Sequence, residues 1–156
     1  MRLAIAAVGR LKGAGPEAAL VDDYARRLGK LGRGVALGPL SIEEVEGRDR
    51  AAEGAALLDL HGAHADGVLI ALDQRGTAPT SERFAAQLAE WRDEGHRVAR
   101  FCIGGADGHA EALIERSQWL LGFGPMVWPH RLVRAMLAEQ LYRAVSIVAN
   151  HPYHRA

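Results

Sequence analysis

The chain has 156 residues, of which 49% are hydrophobic and 24% charged, which is typical of one soluble globular domain with a sizeable core. Nineteen basic and nineteen acidic residues cancel, so the bulk charge does not indicate a nucleic-acid partner. No apolar run approaches the ~20 residues of a membrane helix, and the apolar run that ends at Gly9 is too short for a signal peptide.

The first half of the chain alternates strands with helices. Leu3–Val8 is a short apolar run, which predicts a strand covered on both faces. Pro16 can open a helix that Gly32 ends. A weaker strand near an edge follows over Val35–Leu40, and Arg50–His61 has the spacing of a helix.

The second half continues the alternation with clearer signals. Gly67–Leu72 and Val98–Ile103 are predicted strands. Three helices are expected: one capped by Thr80 or Ser81, one near Ala110–Ser117, and a final one opened by Pro129. A stretch rich in Gly and Pro, Trp119–Trp128, precedes the final helix.

This alternation predicts an α/β fold with a mainly parallel sheet and helices on both faces. The one cysteine, Cys102, cannot form an internal disulfide and fits a reducing cytoplasmic location. Because its neighbours in the sequence are apolar, we expect Cys102 to be a buried residue that packs in the core.

Three glycine-bearing turns follow predicted strands or apolar segments: Leu72–Gly76, Ile103–Gly108 and Gly122–Pro125. Ligands of open α/β sheets bind beyond the carboxyl ends of strands, and glycines let a ligand approach the backbone. Any one turn is explained as well by tight geometry alone. Three together favour a cofactor cleft.

Several motifs are absent from the sequence. Without a phosphate-binding lysine motif or a dinucleotide fingerprint, an ATPase and a nicotinamide enzyme are disfavoured. A serine hydrolase is also disfavoured, because the sequence has no G-x-S-x-G elbow. The spacings His61-x-x-His64-x-Asp66 and His151-x-x-His154 lack a cysteine or a convincing carboxylate set, so no metal is expected. His61 and His64 instead suggest a solvated helix end.

Basic residues accumulate toward the end of the chain, where four arginines accompany a single acid from residue 120 onward. Arg131 and Arg134 lie one helical turn apart, beside His130. They form either a solvated face or, with His154 and Arg155, a set that holds RNA phosphates. We therefore include His130, Arg131 and Arg134 as candidate substrate-binding residues.

Five segments resemble one known family: Leu72-Asp73-x-x-Gly76, Ile103-Gly104-Gly105-x-x-Gly108, Pro129-His130-x-Leu132-x-Arg134, Glu139-x-Leu141-Tyr142-Arg143-Ala144 and Asn150-His151-Pro152-Tyr153-His154-Arg155. Over essentially its whole length the chain resembles the small SPOUT-superfamily methyltransferases that modify N3 of a pseudouridine in large-subunit ribosomal RNA. The last segment is the most specific. The family commonly has Pro-Glu where this chain has Ala106-Asp107, which shortens the carboxylate side chain by one methylene.

The resemblance implies the SPOUT fold, with a deep trefoil knot toward the C-terminal end. It implies S-adenosyl-L-methionine bound in a bent form by the knot loops, and a homodimer whose sites are completed across the interface. Carried over to this chain, the cofactor-binding residues are Leu72, Gly104, Gly105, Gly124, Pro125, Met126, Val127, Trp128 and Pro129.

The expected catalytic residues are Tyr153, His154 and Arg155. An imide N–H is a poor nucleophile until it loses its proton, and transfer needs nitrogen, methyl and sulfur in line. His154 can accept the proton, Arg155 can stabilise the developing charge on oxygen or hold a phosphate, and Tyr153 can stack on the base or orient it. The sequence does not assign these roles uniquely.

The competing hypothesis is a non-catalytic RNA- or ribosome-binding module with the same knotted fold. Retention of the glycine turns together with the tail argues against it, because binding alone needs no cofactor cleft. The balanced net charge is poorly suited to capturing free RNA, and the resemblance implies that the substrate is the assembled ribosome.

Overall fold

The computed structural model describes residues 1–11, 15–62 and 66–155, with His154 and Arg155 described by their backbone alone. Strands and helices alternate along this part of the chain. The strands are β1 (Arg2–Val8), β2 (Leu40–Val45), β3 (Val68–Thr77), β4 (Val98–Ile103) and β5 (Trp119–Leu121). The α-helices are α1 (Pro16–Leu31), α2 (Arg50–Gly62), α3 (Ser81–Asp93), α4 (Glu111–Arg116) and α5 (His130–Val148), with 3₁₀ turns at Gly32–Val35 and Pro152–Arg155.

The five strands form one sheet in the order β2-β1-β4-β3-β5, and all neighbouring pairs are parallel. This confirms the predicted α/β class with a parallel sheet. Parallel strands that are covered on both faces consist mostly of apolar residues, and β1 and β4 follow that rule. Arg100 of β4 is the exception, because it is buried against Glu43 of β2 at 2.9 Å.

Helices cover both faces of the sheet, as predicted. On one face α1, α3 and α5 pack over side chains such as Leu3 and Phe101. On the other face α2 and α4 pack over Ala6 and Cys102. The prediction that Cys102 is a packing residue is confirmed, since its side chain is fully buried and burial raises the pKa of its thiol to about 12.

The strand predicted over Val35–Leu40 is wrong, although its place at an edge of the sheet is correct. Ala36 and Gly38 have φ angles of 55° and 109°, which extended strands do not adopt. The strand β2 begins only at Leu40. It contains Glu43 and Glu44, whose charges obscure it in the sequence because their arginine partners lie elsewhere in the chain.

The strand ends nearest the glycine turns are irregular. β3 extends to Thr77, beyond the predicted end at Leu72, and its pairing with β5 shifts between those two residues. Among the described helices, none is long and apolar enough to cross a membrane. The trefoil knot stays a prediction.

Candidate active site

A cleft of about 770 Å³ lies beyond the carboxyl ends of β3 and β4, and this volume suits a small-molecule ligand. The predicted cofactor residues line it: Leu72, Gly104, Gly105, Gly124, Met126, Val127, Trp128 and Pro129. Pro125 belongs to the same loop, between Gly124 and Met126. All three glycine turns therefore meet at one place, as the parallel sheet requires.

Two glycines allow the loop after β5 to cross the end of β3 with backbone against backbone. A Cβ at Gly76 would lie 2.6 Å from the carbonyl carbon of Leu121, and one at Gly122 would lie 2.7 Å from the carbonyl oxygen of Gly76. Backbone atoms cannot move aside as a flexible side chain can. Gly76 and Gly122 thus fix one wall of the cleft.

The turn after β4 forms the opposite wall and is equally tight. A Cβ at Gly104 would lie 3.0 Å from the carbonyl carbon of Gly108. At Gly105 it would meet the Glu53 carboxylate of α2 at 2.8 Å. A larger residue at Gly105 would therefore displace Glu53 before it altered the rest of the turn.

Both acidic and basic side chains line the cleft. Asp73 accepts hydrogen bonds from the backbone N–H of Arg75 at 2.8 Å and from its guanidinium at 2.9 Å. These contacts hold the pKa of the Asp73 carboxyl below its ordinary value. Asp107, Glu111 and Arg50 also line the cleft. Asp107 and Glu111 are therefore the carboxylates that could favour a positive charge on a ligand.

Two buried nitrogen atoms of the cleft lining make no hydrogen bond within the described part of the chain. They are Nε1 of Trp128 and Nδ1 of His109. Buried polar atoms without partners are uncommon and costly. Their position here fits a ligand-binding wall that is completed by something other than this chain.

The three candidate substrate-binding residues at the start of α5 point in different directions. His130 and Arg131 are exposed, and His130 lines the cleft. Burial, followed by the charges of Arg134 and Arg131, lowers the pKa of His130, so this imidazole is neutral at pH 7.

Arg134 does not face solvent, so the structure contradicts the prediction that it contacts RNA phosphates. Its side chain is completely buried. It donates to the carbonyl oxygens of Val8 and Gly9 at 2.7 Å each, and to the Glu44 carboxylate at 2.9 Å. Arg134 therefore fastens the start of α5 to the carboxyl ends of β1 and β2.

The tail folds back on the C-terminal end of α5. Tyr153 donates its hydroxyl to Glu139 at 3.0 Å. Its ring lies 4.6 Å from the ring of Tyr142 and 5.1 Å from the Arg143 guanidinium carbon. Burial is the main reason why the pKa of Tyr153 is raised above its ordinary value. This phenol is protonated at pH 7 and already has a hydrogen-bond acceptor.

The tail and the cleft contact different parts of α5. His130 and Val133 line the cleft, whereas Tyr153 is held by Glu139, at the middle of the helix, and by Arg143 one turn further on. Val133 and Glu139 are roughly 9 Å apart along the helix at about 1.5 Å per residue. The side chains of His154 and Arg155 lie outside the described residues, so their roles stay predictions.

Comparison with known proteins identifies the family. The model of the family described as predicted SPOUT methyltransferase matches residues 1–154. The chain belongs to the SPOUT methyltransferases. It is 51% identical to the ribosomal RNA large subunit methyltransferases H of Maricaulis maris and of Roseobacter denitrificans, in each case over 99% of this chain and 99% of the relative.

Among solved structures, this SPOUT methyltransferase is similar to the SpoU methyltransferase AviRb from Streptomyces viridochromogenes in complex with the cofactor AdoMet. The similarity covers 91% of this chain and 57% of that chain, with a TM-score of 0.43 and 11% sequence identity.

A second, apolar groove of about 470 Å³ lies between α1, α3 and α5 of this SPOUT methyltransferase. Leu20 of α1 and Met136 of α5 line it, and Leu20 is 45% exposed. The groove reaches Glu139, which holds the tail, and Phe123, which also lines the cofactor cleft. It therefore runs along α5 between the two halves of the candidate site.

The residues of the two histidine pairs that were weighed as metal ligands are placed as follows in the structure. His61 is buried, not solvated as predicted, and His64 lies outside the described residues. Asp66 pairs with Arg97 at 2.8 Å, and Nδ1 of His151 accepts the N–H of Tyr153 at 3.2 Å.

Sequence reasoning missed two residues that organise the site, His109 and Glu139. Glu139 was noted only as part of a family motif. His109 directly follows the glycine turn after β4, and a histidine at the end of such a turn is a signal worth testing.

Proposed function

We propose that this protein transfers the methyl group of S-adenosyl-L-methionine to N3 of a pseudouridine in large-subunit ribosomal RNA. The observation that carries the proposal is the cleft at the strand ends, which the predicted cofactor residues line. The names of the full-length relatives give the substrate class. A non-catalytic module is not favoured, because it would have no use for such a cleft.

The chain's own residues fit this cofactor. The sulfonium of S-adenosyl-L-methionine supplies an already activated methyl group. The backbone at Leu72, Gly105 and Gly124–Pro129 would hold it, because these segments form the lining of the cleft. The carboxylates of Asp107 and Glu111 would favour its positive charge, and Trp128 offers a buried N–H that lacks an acceptor in the described residues.

A second copy of the chain would complete each site. No described side chain of the tail lines the cleft, and Tyr153 is held against α5 by Glu139, so we place the tail at the cleft of a second copy. A twofold pairing that lays the two α5 helices against each other in opposite directions brings each tail to the partner's cleft. The apolar groove along α5, with the exposed Leu20 beside it, supplies a surface for that contact.

The roles within the tail can be divided further. Tyr153 is held by Glu139, Tyr142 and Arg143, so we assign it to positioning the tail. This leaves His154 to accept the proton of the imide and Arg155 to stabilise the developing charge on oxygen. His130, which lines the cleft, and the exposed Arg131 would contact the RNA, and Arg134 would not.

We infer that the substrate is the assembled ribosome in the cytoplasm. The chain carries equal numbers of acidic and basic residues, so long-range attraction to free RNA is weak. Shape recognition of a folded ribosomal surface can replace it.

The test is to incubate the protein with labelled S-adenosylmethionine and ribosomes that lack the modification. We expect label in the large-subunit RNA, recovered after digestion as N3-methylpseudouridine, and none in ribosomes already modified. A protein that binds the cofactor but transfers no label to any ribosomal RNA would contradict the proposal and support the non-catalytic module.

A further inference from the structure

Two histidines join β3 to β4, one at each end of the strand pair. His96 lies just before β4, with Nδ1 3.2 Å from the carbonyl oxygen of Asp66. His109 lies beyond the opposite end, with Nε2 3.1 Å from the carbonyl oxygen of Leu72. The contacts are alike in kind, but only His109 lines the cleft.

The imidazole ring of His109 lies between the two walls of the cleft. Leu72 ends the regular part of β3 and belongs to one wall. Gly104 belongs to the other wall, and a Cβ added to it would lie 3.2 Å from Nδ1 of His109. The ring therefore contacts the glycine turn on one side and bonds to the end of β3 on the other.

The contact with Leu72 indicates which ring nitrogen carries a hydrogen. Burial lowers the pKa of His109, against the opposing effects of the Leu72 carbonyl, the Asp73 carboxylate and the Cys102 carbonyl, so the ring is neutral at pH 7. A carbonyl oxygen only accepts hydrogen bonds, so the bond to Leu72 requires a hydrogen on Nε2.

We propose that His109 is a positioning residue for the methyl donor, setting the distance between the Leu72 and Gly104 walls of the cleft. This inference rests on the proposed function, because it concerns the same cleft. A ligand held mainly by backbone groups depends on the spacing of the segments that carry them, and small misplacements are costly. Loss of His109 therefore weakens cofactor binding more than it weakens the fold.

Two substitutions of His109 test whether the position of the donor nitrogen matters, and not only the presence of a polar group. The amide nitrogen of Gln can occupy the place of Nε2, whereas that of Asn reaches only the place of Nδ1. By calorimetry at pH 7 we expect His109→Gln to stay within about threefold of the wild-type Kd for S-adenosylmethionine. We expect His109→Asn to weaken it roughly tenfold, the order of one lost hydrogen bond.

His96→Ala is the matched control, because it removes the same kind of contact from the far end of the same strands. It should lower the thermal midpoint yet leave the Kd unchanged. Equal Kd values in wild type and His109→Asn would overturn the inference, and so would a His96→Ala effect as large as that of His109→Asn. A wild-type protein that binds no S-adenosylmethionine would overturn the proposed function as well.

Nitrogen NMR of the wild-type imidazoles gives a test that needs no variant. The inference predicts a neutral His109 with its hydrogen on Nε2 at pH 7, and a signal that shifts when S-adenosylmethionine is added. A ring with its hydrogen on Nδ1, or one unchanged by the cofactor, would contradict it.

Discussion

The two ends of α5 are built in different ways. At its start, Arg134 is completely buried and bonds to backbone carbonyls of β1, and the neighbouring cleft is formed largely by backbone turns. At its end, the tail is held by the Tyr153–Glu139 hydrogen bond and two ring contacts, and by a backbone hydrogen bond from His151 to the carbonyl oxygen of Ser146 at 2.8 Å.

This difference explains how one small domain can hold two halves of a chemical site. The cleft end is complete within one chain, because glycine turns and a parallel sheet shape it. The tail is anchored beside the apolar groove, which Glu139 also lines. The two halves can be damaged separately, which the following predictions use.

The largest effect is expected from the tail. His154→Ala or Arg155→Ala should abolish methylation of ribosomes, a loss of at least about 100-fold as for a missing general base, while the Kd for S-adenosylmethionine stays nearly unchanged. Single-turnover rates and calorimetry measure the two quantities. Arg116→Ala, an exposed arginine of α4 on the opposite face of the sheet from α5, is the control, and wild-type rates in both tail variants would refute the tail's role.

The next effect concerns the cleft. Gly122→Ala places a Cβ 2.7 Å from the carbonyl oxygen of Gly76 and forces the two loops apart. We expect the Kd for S-adenosylmethionine to rise at least about tenfold, since the backbone must shift. Gly29→Ala meets open space within α1 and should instead stabilise the fold by about 0.5–1 kcal/mol. An unchanged Kd in folded Gly122→Ala would remove this crossing from the site.

A moderate effect is expected from the anchor of the tail. Glu139→Gln and Tyr153→Phe each disturb the same 3.0 Å contact, so each should lower kcat by roughly threefold to tenfold, in keeping with one lost charge-assisted hydrogen bond. The KM for the cofactor should not change. Glu90→Gln, on the exposed face of α3, controls for loss of a carboxylate. If Tyr153→Phe loses activity as completely as His154→Ala, the phenol takes part in the chemistry itself.

The smallest effect is electrostatic. Asp73 has a pKa held below its ordinary value of 3.8 by Arg75, so the pair contributes stability above that pH and loses it as the pH falls through the lowered value. Arg75→Leu should therefore be slightly less stable than wild type in urea at pH 7, and the difference should shrink toward pH 3. If the difference in stability between Arg75→Leu and wild type grew as the pH fell, the predicted direction of the pH dependence would be wrong.

The sequence predicted the features that depend on local pattern. The glycine turns, the Thr80 cap of α3 and the alternation of strands and helices are readable because short-range geometry requires those residue types. It did not predict β2, since Glu43 and Glu44 look solvated until Arg100 and Arg134 are brought to them by the fold. The direction of Arg134 was misjudged for the same reason, because its partners lie more than 85 residues away in the chain.

The central claim is that each tail serves the partner's cleft. Mixing a cleft variant with a tail variant tests it most directly, at a concentration of S-adenosylmethionine too low for the cleft variant to be active. Gly122→Ala damages the cleft and His154→Ala damages the tail. Unfolded and refolded together in equal amounts, they form heterodimers in which one site carries both defects and the other carries none. The account predicts recovery of about a quarter of wild-type activity, as random pairing of two copies requires. If each tail served its own cleft, every site would keep one defect, and the mixture would stay inactive.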